Sequence, residues 1–598
     1  MGVARAGSFP IVIASPAIAA PVIPEAADST PATQRVARWS FPDAPNPADV
    51  AALMASLHLP QHACQLLVRR GYADSESAKT YLRPRLEHLH DAALMRGMSD
   101  ATNRLARAVR DGELICVHGD YDVDGICSTT ILVRTLRAFG ARVMPFIPRR
   151  IEDGYDLSMA GVNAAIGAGA TLLVTCDCGT NAVQPVRAAH EAGIDVIITD
   201  HHLPSGPLPD CVAVLNPRQP ECAYPDKELA AVGIAFKLAL ALARSLAQSD
   251  GFIYRMLDLV ALATIADIAP LRGENRIMSR IGLKVLADSE NVGLRALTRA
   301  AGLEGKPLTA GRVGYVLAPR LNAVGRLAHA LRGVELLLTD SENEANAIAR
   351  DFEELNRRRQ AIDRDTVTEA MRLIDRIDLD VTYGLVLAEH GWHPGVIGIV
   401  ASRVVEQVCR PTVLVAISGE EGKGSGRSIP SFDLHAGLSD CRDLLVRFGG
   451  HRAAAGVTVR ADRIPDFTDR FNRVAMDRLT PDDLIHEVRI DLEIALSDAN
   501  ASFESLLRHF EPFGTGNPSP VLVTRNVMLA CPARSVGEGH AKLRLSAGGA
   551  ELDAIGFGLA SLARTIPVGT TFDVAFRLES DDWNGGKRLQ AKLAGIRF

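Results

Sequence analysis

Glu113-Leu114-Ile115-Cys116-Val117-His118-Gly119-Asp120-Tyr121-Asp122-Val123-Asp124-Gly125 is the stretch on which the fold turns. Its apolar half, Glu113–His118, is short and partly β-branched, as a buried strand requires, and it runs straight into three aspartates. The pattern recurs twice. Thr171–Cys176 is followed by Asp177-Cys178-Gly179, and Asp195–Thr199 by Asp200-His201-His202. Ala-rich helical stretches, Ser158–Ala168 and Val183–Ala192, separate the runs, so a parallel sheet is predicted. In open parallel sheets, ligands bind beyond the carboxyl ends of the strands, which is where these acidic residues fall.

Carboxylates gathered there repel one another, and partial burial adds a desolvation cost. None of the three motifs contains Lys or Arg, so bound cations must supply the missing positive charge. Carboxylate and imidazole ligands without strand-end thiolates suit Mn²⁺ or Mg²⁺. Asp122 and Asp124, two apart, share a face if the segment is extended. An aspartate from the next strand can then bridge two ions about 3.5–4 Å apart, the arrangement that clamps an in-line phosphoryl displacement. Singly, each residue would be a turn or cap residue; three successive strand ends carry the reading.

The 598 residues exceed what one core supports, and 47% apolar with 23% charged residues is ordinary globular composition. A net charge of −6 does not advertise a nucleic-acid binder, although carboxylates at a metal site hide local basic grooves in the total. The ten cysteines have neither zinc nor disulfide spacing and read as small apolar residues of a reducing cytoplasm. Residues 1–45, rich in Ala and Pro, read as a disordered extension, with translation starting further downstream as the alternative. Residues 46–98 read as helical, 99–340 as the first α/β domain, 341–378 as one long connecting helix, and 379–480 as a second α/β domain. Short alternating runs in 481–598 indicate a small β-barrel. On the long helix, Asn356-Arg357-Arg358-Arg359-Gln360 is either a solvated face or a nucleic-acid contact.

With its Asp200-His201-His202 triplet the chain resembles the DHH phosphoesterases, and within them the RecJ exonucleases. The RecJ-like segments include His118–Gly125, Val174–Gly179, Ala318–Leu327, His393–Arg403, Gly424–Ser428, Phe448–His451 and Pro512–Pro518. The resemblance implies an α/β fold: a parallel-sheet DHH domain plus an α/β DHH-associated domain joined by a long helix, with a C-terminal OB-type β-barrel. It implies one divalent cation on His118, Asp122 and Asp177, and a second on Asp124, Asp177, His201 and Asp267. Asp258 is a rival to Asp267, but nine helical residues separate the two by about 13 Å, so both cannot hold one ion. His202 would face the scissile phosphate, with Asp200 and Asp120 orienting imidazoles or water and Asp120 equally readable as a turn residue.

Gly424-Ser425-Gly426-Arg427-Ser428 alone reads as a turn or as a phosphate cradle; the resemblance favours a cradle for a 5′ phosphate, with Arg320, Gly449, Gly450 and His451 around the same groove. In the barrel, Phe513, Phe557, His540 and Lys542 are candidate strand contacts, with core packing the alternative for the two phenylalanines. The implied activity is metal-dependent 5′→3′ hydrolysis of single-stranded DNA to 5′-mononucleotides in recombination and repair. The implied setting is a cytoplasmic monomer away from membranes, beside a single-strand-binding protein and a helicase. The competing readings are a small-substrate DHH enzyme and a non-catalytic replication scaffold.

Overall fold

The computed structural model describes residues 37–598 except 151, 538 and 582–587. The first domain is built on a five-stranded parallel sheet in the order Arg142–Phe146, Leu114–Gly119, Leu172–Cys176, Asp195–Thr199, Ala213–Leu215. Chain order reverses between Leu114–Gly119 and Leu172–Cys176. That is the switch point where open sheets leave a crevice.

The three acidic strand ends are level. Gly119 pairs with Cys176, and Cys176 with Thr199. The next residue of each strand adds one more rung. Asp120 N–H donates to Cys176 O (3.1 Å), Asp177 N–H to Thr199 O (2.9 Å) and Asp200 N–H to Leu215 O (3.1 Å). The hydrogen-bond ladder therefore delivers three aspartates side by side at the lip of the crevice.

The long helix, Glu342–Ile374, leads to a second sheet in the order Leu445–Gly450, Ala454–Arg460, Glu421–Arg427, Thr412–Ser418, Leu385–His390. Only its last pair is parallel. Gly424–Arg427 is thus a central antiparallel strand, where a loop was expected. Its amides serve the ladders to Thr412–Ser418 and Ala454–Arg460, so they cannot cradle an anion. The glycines are there for packing: a Cβ at Gly424 would land on Val457, and one at Gly426 on Leu434.

The C-terminal barrel closes through Leu522–Leu529, Phe572–Asp581, Arg588–Arg597, Ala550–Gly556 and His540–Ala547, the last pairing back to the first. Two expectations are corrected by what packs on it. Of the proposed disordered extension, residues 1–36 lie outside the described residues, but Arg38–Ser40 forms a strand parallel to Glu487–Arg489 and buries Trp39. The helices Pro47–Leu57, Gln61–Arg69 and Ser75–Leu82 share one apolar core with the barrel, whereas Ala92, Met95 and Met98 join the first domain. Residues 46–98 are therefore not one unit. Among the described residues, no helix is long and apolar enough to cross a membrane.

Candidate metal centre and nucleic-acid cleft

Asp122 and Asp124 do not lie on an extended segment. Asp122 caps the helix Val123–Ala138, its Oδ1 accepting the amides of Asp124 (2.9 Å) and Gly125 (3.2 Å). Asp124, in the first turn, accepts the amides of Ala231 (3.0 Å) and Val232 (2.8 Å) at the start of helix Ala231–Ser245. Two helix N-termini thereby hold the two carboxylates. Asp177 has a left-handed backbone (φ 66°), a strained conformation for a non-glycine residue. Its Oδ1 is buried without a hydrogen bond, 3.1 Å from His201 Nε2 and 3.9 Å from His202 Nδ1.

Three groups of ligand atoms converge among the described residues: Asp177, His201 and His202; Asp124, His201 and Asp267; Asp120, Asp122 and Asp177. Asp120 contributes its own buried, unpartnered Oδ1, so its carboxylate sits within the cluster itself. His118 belongs to none of the three groups, yet its Nε2 is buried and unpartnered. Its Nδ1 lies 3.6 Å from Cys178 Sγ. Gly161 makes room for this ring, since a Cβ there would fall on His118 Cδ2 and Nε2. Asp258 is at the far end of helix Leu257–Ala266 from Asp267, with its oxygens bonded to Ser289 Oγ (2.5 Å) and its neighbour's amide (2.7 Å).

The electrostatics fit a cation. Burial, then repulsion from Asp122, pushes Asp124 up to about 7. Asp177 and Asp267 are raised well above the carboxylate range by burial and neighbouring aspartates. Burial lowers His118 to about 4; burial and the adjacent His202 lower His201 to about 3. Both imidazoles are therefore neutral, with lone pairs free to ligate. Unpartnered buried acceptors and mutually repelling carboxylates are what a divalent ion relieves.

His202 differs. Burial pulls its pKa down, but the hydrogen bond and charge of Asp200 outweigh this and raise it to about 9. Tyr155 Oη lies 2.8 Å from His202 Nε2, in a turn whose Asp156 (φ 80°) accepts the Gly179 amide at 2.6 Å. No sequence pattern singled out Tyr155.

Across the cleft, Arg427 donates to Ser425 Oγ (3.1 Å) beside Gly398, in the first turn of helix Ile397–Val408. A Cβ at Gly398 would come within 2.9 Å of Ser425 Oγ and 3.1 Å of Arg427 Nη2. A helix N-terminus, a hydroxyl and a guanidinium are thus brought together, groups that could hold an anion. Ser428 turns away to Phe432 O (2.8 Å), and Arg320 to Glu353 on the long helix (2.6 Å). Gly449 and Gly450 close an exposed strand, and the following residue, His451, has its pKa lowered by burial and by His202, which faces it.

Sequence reasoning gave no role to Arg150, nor to Arg326 within the RecJ-like segment Ala318–Leu327. Burial lowers the pKa of Arg326 to about 9, as do the neighbouring charges of Arg150, Arg359 and Arg427. The arginine cluster of the long helix divides. Arg357 is exposed and pairs with Glu354, whereas Arg359 is buried beside Asp363, which also pairs with Arg403 at 3.0 Å. In the barrel, Phe513 packs against the shared core with the Arg70 guanidinium 5.9 Å from its ring, so docking claims it. His540 and Phe557 meet edge-on at 4.9 Å on the surface, near Lys592.

Residues 114–264 match the DHH family, N-terminal domain, residues 380–477 the DHHA1 domain and residues 490–595 the RecJ OB domain. The single-stranded-DNA-specific exonuclease RecJ of Bacillus subtilis is 38% identical over 93% of this chain and 70% of its own length. The chain belongs to the RecJ family. The RecJ of Escherichia coli is 35% identical over 84% of this chain and 90% of its own length. The crystal structure of Thermus thermophilus RecJ in complex with Mn²⁺ superposes with a TM-score of 0.81 at 34% identity, covering 95% of this chain and 80% of that one. A second RecJ crystal structure, bound to manganese, covers 67% of this chain and 98% of that one at 38% identity.

Proposed function

We propose that the chain is a single-stranded-DNA-specific exonuclease that removes 5′-mononucleotides from the 5′ end with two divalent cations, Mn²⁺ or Mg²⁺. The observation that carries this reading is the cluster of buried, unpartnered acceptors (Asp120 Oδ1, Asp177 Oδ1, His118 Nε2) at the switch point of a RecJ-family chain. His118, Asp122 and Asp177 would hold one ion, and Asp124, Asp177, His201 and Asp267 the other. Asp120 lies close enough to Asp122 and Asp177 to share the first site. When bound, the ions supply Lewis-acid activation of water and offset charge on the phosphoryl oxygens.

The protein's own groups do the rest. His202, kept protonated by Asp200, presents positive charge toward the scissile phosphate, and Tyr155 limits its rotation. Arg427, Ser425 and the start of helix Ile397–Val408 hold the terminal phosphate, so the end of the strand is placed and the middle is not. Arg150 and Arg326 line the same cleft and offset backbone charge. His451 faces the site from the second domain. His540 and Lys542, with Phe557, give the barrel a basic and aromatic surface suited to an unpaired strand.

By family analogy the enzyme works as a cytoplasmic monomer in recombination and repair, beside a helicase and a single-strand-binding protein. The test is Asp177→Ala: the folded variant loses hydrolysis because both ion sites share this side chain. A folded variant keeping about a tenth of wild-type rate would overturn the two-ion assignment.

A further inference from the structure

A cavity of about 480 Å³ lies where the N-terminal helices, the barrel and the first domain meet, and none of its lining residues belongs to the metal cluster or to the Arg427 side of the cleft. Five arginines line it: Arg69, Arg70, Arg272, Arg489 and Arg577. The acidic lining is only Glu487 and Asp491. Asp491 already accepts the Val521 amide through Oδ2 (2.8 Å). Arg69, Arg70 and Arg272 donate to the carbonyls of Asp491, Pro518 and Gly516. Those bonds fix the guanidiniums in place without cancelling their charge. Among the described residues, the side chains of Arg489 and Arg577 make no hydrogen bond or ion pair. In a chain of net charge −6, this is a local excess of positive charge, the five guanidiniums outnumbering Glu487 and Asp491 in the lining and Glu579 beside Arg577 and Lys592.

The cavity is also the end of a track. Across the barrel, Arg534 pairs with Lys542, Lys542 with Ile555, Ile555 with Lys592, and Lys592 with Arg577. Their strand neighbours Ala541, Leu543, Ala554, Ala591, Phe576 and Leu578 are buried, so by strand alternation this whole row points outward. Three cations, Arg534, Lys542 and Lys592, with Ile555 between the last two, lead to Arg577, and Arg577 opens into the arginine-lined cavity.

We infer that this cavity binds backbone phosphates of the single strand at a distance from the end being hydrolysed, an anchoring site separate from the catalytic cleft. The inference rests on the exonuclease reading for its ligand. Guanidiniums pinned by carbonyls are pre-organised phosphate partners. A strand that reaches them gains affinity chiefly through counterion release, without base readout.

The experiment is fluorescence-anisotropy binding of the full chain, under chelation, to single strands of about 6 and about 40 nucleotides across a salt series, with the wild type and Arg489→Ala/Arg577→Ala. The expected result is a loss of about ten-fold on the long strand, with the slope of log K against log salt reduced by about 1.4, or about 0.7 per arginine. Binding of the short strand under chelation, and its hydrolysis assayed separately with Mn²⁺, stay as they were. Arg489→Lys/Arg577→Lys restores most of the slope, because the salt slope counts the charges that displace counterions and not the shape of the head group. An unchanged long-strand slope overturns the inference, as does an equal loss on both lengths. Inorganic phosphate and a 5′-mononucleotide serve as competitors. If they displace a ligand through Arg489 and Arg577 while long-strand binding is unchanged, the site belongs to a free nucleotide or phosphate and the inference fails. Absence of hydrolysis on either length in the separate Mn²⁺ assay would count against the exonuclease reading, while the binding series under chelation still decides this one.

Discussion

Asp200 Oδ1 accepts a 2.7 Å hydrogen bond from His202 Nδ1, and Asp200 Oδ2 accepts the Thr180 amide at 2.9 Å. Burial alone would raise this carboxyl, but these bonds hold it well below the usual carboxylate range. The pair is therefore charged on both sides, with the imidazolium directed into the cluster and the carboxylate fixed behind it.

Asp200→Asn keeps the shape and removes the charge that raises His202. Turnover on single strands should fall about 10–100-fold while calorimetric metal affinity changes little. A rate within about two-fold of wild type would show that His202 needs no such partner.

Gly161→Ala tests the placement of His118. The added methyl would occupy the space of the imidazole, so the ring must move away from the cluster. The expected outcome is weaker metal binding by titration calorimetry and loss of hydrolysis, with an unchanged circular dichroism spectrum. Wild-type metal affinity would remove His118 from the ion site.

Arg427→Ala should cost about ten-fold more affinity on 5′-phosphorylated than on 5′-hydroxyl strands, because a terminal phosphate carries the extra charge that a guanidinium reads. Equal losses on the two strands would reduce Arg427 to a general electrostatic contact.

Asp363→Ala leaves Arg359 and Arg403 facing each other without their carboxylate. Removing one member of a buried ion pair costs about 3 kcal/mol here, at the low end of the usual range because Arg403 is 30% exposed. Urea unfolding of the variant measures it, and a change below about 0.5 kcal/mol would show that the arginines find other partners.

The parallel sheet and its acidic lip were legible because two local signals coincided: β-branched runs that stop, and aspartates immediately after. Asp195–Thr199 is a strand to the residue. What escaped were features decided by distant partners. Gly424–Arg427 looks like a loop until Val457 and Leu434 occupy the space its missing side chains leave. Arg38–Ser40 is too short to show a period and becomes a strand only by pairing with Glu487–Arg489. Asp122 and Asp124 were placed on one extended face, whereas the helix begins at Val123 and caps decide their orientation. The N-terminal helices gave no sign that their apolar faces complete the barrel core. For that reason the barrel's role is better tested by point substitutions than by truncation, which would strip Leu53, Leu67 and Tyr81 of their packing.

The most direct measurement is the digestion of end-labelled single- and double-stranded oligonucleotides with Mn²⁺, Mg²⁺ or chelator. With either ion, a 5′ label on the single strand should appear as a mononucleotide at the earliest time, a 3′ label should be the last released, and the duplex should persist. Chelator should stop all release. Release of the 3′ label first, or digestion that continues under chelator, would contradict a metal-dependent 5′ exonuclease.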